Sequence, residues 1–123
     1  MADRILISDL RYFAFHGLLP EETTLGQRFR IDVACELDLS EAGTSDDMTK
    51  SVHYGHLIAS IERVVTTRRF KLIEALAEAI AAEIFADFAR VESVSVTVTK
   101  PEAPVPSATG IVAVQIERRR PRG

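Results

Sequence analysis

The stretch Val94 to Lys100 reads VSVTVTK. Val94, Val96 and Val98 alternate with Ser95, Thr97 and Thr99, the period of a strand with one buried face, and the same parity puts Lys100 on the valine side. Pro101 follows and ends the strand, because it has no N–H for the ladder. An ammonium beside buried valines loses hydration, which favours the neutral amine, and a neutral amine is a base. Such a lysine also has a mechanical use: its stem lies on the valines while the charge reaches water past the strand end. The prolines of PEAPVP, at 101, 104 and 106, stiffen the loop that follows, as a positioned base requires.

Glu74 stands in the first turn of an apolar-striped segment, beside the stripe rather than opposite it. A carboxylate there complements the helix dipole. It can also accept two parallel N–H donors, so a heterocycle with an amidine-like edge is a candidate ligand. Glu78, one turn on, faces more toward solvent. In SVHYG the phenol of Tyr54 falls where a connection becomes helix, a usual place for an active-site group and equally for an amphipathic interface tyrosine. His53 and His56 lie three apart, with His16 elsewhere, and no cysteine or acidic residue completes a zinc spacing around them. Cys35 is the single cysteine, so no internal disulfide forms. By parity it is a small buried hydrophobe. Neither a glycine-rich phosphate loop nor a Gly-x-Ser-x-Gly elbow occurs, which removes nucleotide hydrolysis and serine hydrolysis.

Behind these residues the pattern predicts a strand over Arg4–Phe13, blurred near Ser8 and Asp9, and a loop through HGLLPEETTLGQ. A long strand through RFRIDVACELDL follows, with Phe29, Ile31, Val33, Cys35, Leu37 and Leu39 inward and Arg28, Arg30, Asp32, Glu36 and Asp38 outward. One wet face suits an antiparallel sheet. SEAGTSDDMTKS reads as a turn-rich connector. Leu57, Ile58, Ile61, Val64 and Val65 then recur at helical spacing, in a helix ending before TTRRF. A second helix starts near Leu72, with Leu76, Ala77, Ile80, Ala81 and Ile84 on one stripe. Two strands close the chain, the last placing Val112, Val114 and Ile116 on one face. The order ββααββ gives an α+β fold, a four-stranded antiparallel sheet with two helices on one face.

The 123 residues suffice for one domain, over 1–118, with a basic tail at 119–123. Fifteen basic against 18 acidic residues argue against a nucleic-acid or anionic-membrane partner, the tail ERRRPRG being a local exception. No apolar stretch resembles a signal peptide or membrane span, so a cytoplasmic protein is expected.

Taken together, FHGLLPEETTLGQRF, SVHYG, LIEALAEAIA and VTKPEAPVP, in this order and spacing, resemble the dihydroneopterin aldolases of the folate pathway over nearly the whole chain. The resemblance implies a tunnelling fold, in which the sheets of ββααββ subunits join into an oligomeric barrel and two rings stack into a homo-octamer with sites at subunit interfaces. It implies that Lys100 is the catalytic lysine of a Thr-Lys-Pro motif, Tyr54 the active-site tyrosine and Glu74 the anchor of the pterin ring. Glu22 matches the glutamate six residues after the histidine of the His-Gly pair, with Glu21 beside it. Ile73, where leucine is common, and Val52 would offer backbone contacts to the pterin. The implied reaction is retro-aldol cleavage of 7,8-dihydroneopterin without metal, Schiff base or other cofactor. The alternatives are a pterin epimerase of the same fold, yielding 7,8-dihydromonapterin, and a non-catalytic oligomer that binds pterins or purines.

Overall fold

The computed structural model describes residues 3–102 and 110–121. Four strands, β1 (Arg4–Ala14), β2 (Gln27–Glu36), β3 (Ser93–Lys100) and β4 (Val112–Arg119), form one sheet in the order β1-β2-β3-β4, every pair antiparallel. Two long helices, α3 (Tyr54–Thr67) and α4 (Ile73–Asp87), lie between β2 and β3 in the chain. Two short ones, α1 (Pro20–Leu25) and α2 (Ser40–Ser45), sit in the connections on either side of β2.

Period-2 patterning decides the buried face. Phe29, Ile31, Val33 and Cys35 of β2 and Val94, Val96 and Val98 of β3 are buried. Against them pack Leu57, Ile61, Val64 and Val65 of α3 and Leu76, Ala77, Ile80, Ala81 and Ile84 of α4. Each large aliphatic side chain removed from water contributes about 1.5–3 kcal/mol, so this layer holds the fold. The Cys35 thiol belongs to it, and burial pushes its pKa up to about 12.

Several boundaries differ from the sequence expectations for identifiable reasons. HGLLPEETTLGQ is not all loop: Pro20 at the first helical position and Glu21 and Glu22 in the first turn start α1, and Gly26 stops it. The connector SEAGTSDDMTKS likewise holds α2 and a 3-10 turn at Met48–Lys50. The helix α3 runs on through Thr66 and Thr67, whose hydroxyls bond back to the carbonyls of Glu62 and Arg63. The strand β2 ends at Glu36, although Leu37 is still buried and Leu39 half-buried. The blur near Asp9 is a register shift between Ile7 and Leu10, with Asp9 at φ 61 and its N–H donating to Asp32 Oδ1 at 2.8 Å.

The boundary expected at 118 falls inside β4. Beyond it, the Arg120 guanidinium donates to the carbonyls of Phe85, Phe88 and Val91 at 2.8–3.1 Å, closing the C-terminal end of α4.

Candidate active site

Antiparallel pairing brings the start of β2 and the end of β3 to one end of the sheet, Arg30 opposite Thr99. Lys100 emerges there on the helix-covered face, its side chain 14% exposed. Its Nζ donates to Glu22 Oε2 at 2.6 Å, across 78 residues of chain. The ammonium therefore meets a carboxylate, not hydrocarbon alone as the strand pattern suggested. Of the prolines expected to stiffen the following loop, Pro104 and Pro106 lie outside the described residues.

Glu22 itself is 8% exposed, in the third position of α1. Its Oε1 accepts from the Leu19 N–H at 3.3 Å, and its Oε2 from Gln27 Nε2 at 2.8 Å as well as from Lys100. Burial pushes its carboxyl up, but hydrogen bonds from Lys100, Gln27 and Leu19 and the charge of Lys100 outweigh it, leaving Glu22 below the ordinary carboxylate value. Gly17, at φ 149, makes room for this carboxylate: a Cβ there would lie 2.5 Å from Glu22 Cδ. Glu21, its neighbour, is exposed, so the two adjacent acids are separated by burial. Gln27 was missed in the sequence, although it shares parity with Phe29 and so is a polar residue at the end of an apolar face, the same signal that singled out Lys100.

A buried histidine ties this corner to the helices. His16 Nε2 lies 2.8 Å from the Val65 carbonyl near the end of α3, and its Nδ1 accepts from the Phe70 N–H at 3.1 Å. Gly17 N–H donates to the Phe70 carbonyl at 2.9 Å. The loop leading to Glu22 is thereby fixed to the segment that enters α4, where Ile73 is buried and Glu74 exposed. Lys100, Glu22, Ile73 and Glu74 accordingly share one end of the molecule. Glu74 makes no side-chain hydrogen bond or ion pair among the described residues.

Both nitrogens of His16 are committed only while the ring is neutral. Burial pushes its pKa below the ordinary 6.5, the Val65 carbonyl pulls it back, and Lys100 and Arg69 push it down further. Between that lowered value and 6.5 the unfolded chain binds a proton that the folded chain refuses, so stability falls as pH drops through this window. The expected slope is up to about 1.4 kcal/mol per pH unit. Urea midpoints at pH 7 and 5.5 should drop for the parent chain and much less for His16→Asn; equal slopes would remove His16 as the cause.

Tyr54 and Val52 lie elsewhere. Tyr54 opens α3 and is 63% exposed, and Val52 is buried just before it. Eleven residues of helix separate Tyr54 from Val65, about 16 Å along the axis, and α3 points its N-terminus away from the Lys100 end. His53 caps the helix through Nδ1, accepting from the Gly55 and His56 N–H groups, and stacks on His56 at 4.3 Å. The histidines are thus divided between the two ends. A cavity of about 320 Å³ lined by Arg11, Arg28, Arg30, Thr99 and Pro101 lies at the Lys100 end of the sheet.

Comparison with known proteins agrees with this arrangement of elements. The dihydroneopterin aldolase (FolB) family model matches residues 5–117. A dihydroneopterin aldolase from Methylorubrum extorquens is 51% identical over 120 residues, 98% of this chain and 92% of its own. Another from Bacillus subtilis is 36% identical over 118 residues, 96% of this chain and 98% of its own. The crystal structure of E. coli dihydroneopterin aldolase in complex with neopterin is similar at TM-score 0.86 and 28% identity, over 94% of this chain and 98% of that one.

Proposed function

Since the chain belongs to the dihydroneopterin aldolase family, we propose that it cleaves 7,8-dihydroneopterin at the Lys100–Glu22 pair, with Glu74 holding the pterin ring. The enzyme is a lyase of folate biosynthesis, and the products are 6-hydroxymethyl-7,8-dihydropterin and glycolaldehyde. The observation that carries the site is the ammonium–carboxylate contact of 2.6 Å at the end of β3.

Retro-aldol cleavage requires removal of the proton from the side-chain 2′-hydroxyl. The C1′–C2′ bond then breaks, its electrons pass into the ring C=N bond to form an enamine, and protonation at C1′ gives the hydroxymethyl product. The ring is its own electron sink. Lys100 in its neutral form takes the hydroxyl proton, and the ammonium so formed is stabilised by the Glu22 carboxylate beside it. A water held by Glu22 can relay the hydroxyl proton. Glu74 accepts two N–H donors from the pterin edge, and the Ile73 and Val52 backbones add contacts to the ring.

Tyr54 assists the proton return at C1′, and since it opens the far end of α3 it comes from a second copy, as does Val52. The free edges of β1 and β4 supply the means of assembly, with Leu6 exposed on one and Val112 on the other. The working unit is a cytoplasmic homo-octamer with sites at subunit interfaces.

Chromatography of purified protein with 7,8-dihydroneopterin tests the activity. Glycolaldehyde release is expected; a diastereomer alone identifies an epimerase, and ligand binding without product identifies a binding oligomer. Shared sites have a separate consequence. Lys100→Ala and Tyr54→Phe, each impaired alone, should recover activity when unfolded and refolded together, because about a quarter of randomly assembled sites then receive both native groups. No recovery in mixed oligomers would place Tyr54 and Lys100 in independent sites.

A further inference from the structure

Gln27 opens β2 with the inward parity of Phe29. The turn before it is closed to other side chains: Gly26 has φ 74, and a Cβ there would lie 2.5 Å from Phe13 Cε1 and 2.8 Å from Phe15 Cε1. The amide is thus delivered against α1, where Nε2 donates to Glu22 Oε2 at 2.8 Å, the same oxygen that Lys100 meets. Reversing the amide would turn its oxygen onto an ionised carboxylate, so its orientation is settled. Gln27 Oε1 then points elsewhere, buried and without a partner among the described residues.

A buried acceptor without a donor is destabilising, and this one belongs to the amide that holds Glu22. The reaction itself brings donors of the right kind. The trihydroxypropyl chain of 7,8-dihydroneopterin must present its 2′-hydroxyl to Lys100 and Glu22, which carries its neighbouring hydroxyls into the same corner.

We infer that Gln27 Oε1 accepts a hydrogen bond from a hydroxyl of the substrate's side chain, making Gln27 a specificity-determining contact for polyhydroxylated pterins. The inference rests on the placement of the reacting chain at the Lys100–Glu22 pair. Gln27 then has two tasks on one amide, its N–H holding Glu22 and its oxygen selecting the substrate.

Equilibrium binding of two stable ligands separates these tasks: neopterin, and 6-methylpterin, which keeps the ring and lacks the hydroxyls. The parent oligomer should prefer neopterin by about tenfold or more. In Gln27→Met, which keeps length and removes the amide, that ratio should fall close to one with 6-methylpterin affinity unchanged. A ratio near one in the parent, or a preference retained in Gln27→Met, overturns the inference. So does an equal loss for both ligands, which would leave Gln27 only its hold on Glu22. Glu74→Ala tests the underlying placement independently, because loss of the ring anchor weakens both ligands alike; if it weakens neither, the fault lies in the pterin site, and the Gln27 ratio still decides the hydroxyl contact.

Discussion

Lys100→Ala should turn over 7,8-dihydroneopterin roughly 10² to 10⁴-fold more slowly than the parent chain while binding pterin with nearly equal affinity. In the proposed site the lysine meets the reacting side chain and not the ring, so its removal should take away proton transfer and leave the proposed Glu74 anchor in place. Glu22 loses its ammonium but keeps the Leu19 and Gln27 donors, which hold it near its present position. Loss of that charge also relieves the constraint holding the Glu22 carboxyl low, so the residual activity should show a shifted acid limb. Single-turnover kinetics make the measurement. Unchanged turnover would remove Lys100 from the chemistry and leave the ion pair a purely structural contact.

Glu74→Ala is expected to have the opposite profile. As the proposed ring anchor, Glu74 accepts two N–H donors from the pterin edge, and deleting it strands both, so pterin affinity should fall by about 10² to 10³-fold. Fold stability should barely change, since the side chain is exposed and makes no bond to its own chain among the described residues. Titration with neopterin alongside thermal melting distinguishes lost binding from lost structure. Normal pterin affinity in this variant would mean that the ring is held by some other group.

Much of this site was legible in the sequence because strand parity is a strict rule. Lys100 falls on the valine face in the structure as its spacing requires, and Cys35 is buried with its parity neighbours. Parity could not disclose the partner of Lys100, because a contact across 78 residues depends on how β1, α1 and β2 fold back on the end of β3. The desolvated amine anticipated from the strand alone was incomplete for that reason. The short helix that carries Glu22 was hidden by glycines and a proline that ordinarily mark loops, although Pro20 followed by two glutamates is also how helices begin. Gln27 was hidden by its place at the edge of the alternating run, one residue before Arg28. The separation of Tyr54 from Lys100 needed the direction of α3, and no spacing rule gives a helix's heading relative to a sheet.

Cys35, sealed between the sheet and the helices, gives the molecule its own stopwatch. A thiol held from water and kept protonated does not react with alkylating reagents until the layers part, so the rate at which label appears on this sulfur measures how often the whole core breathes open.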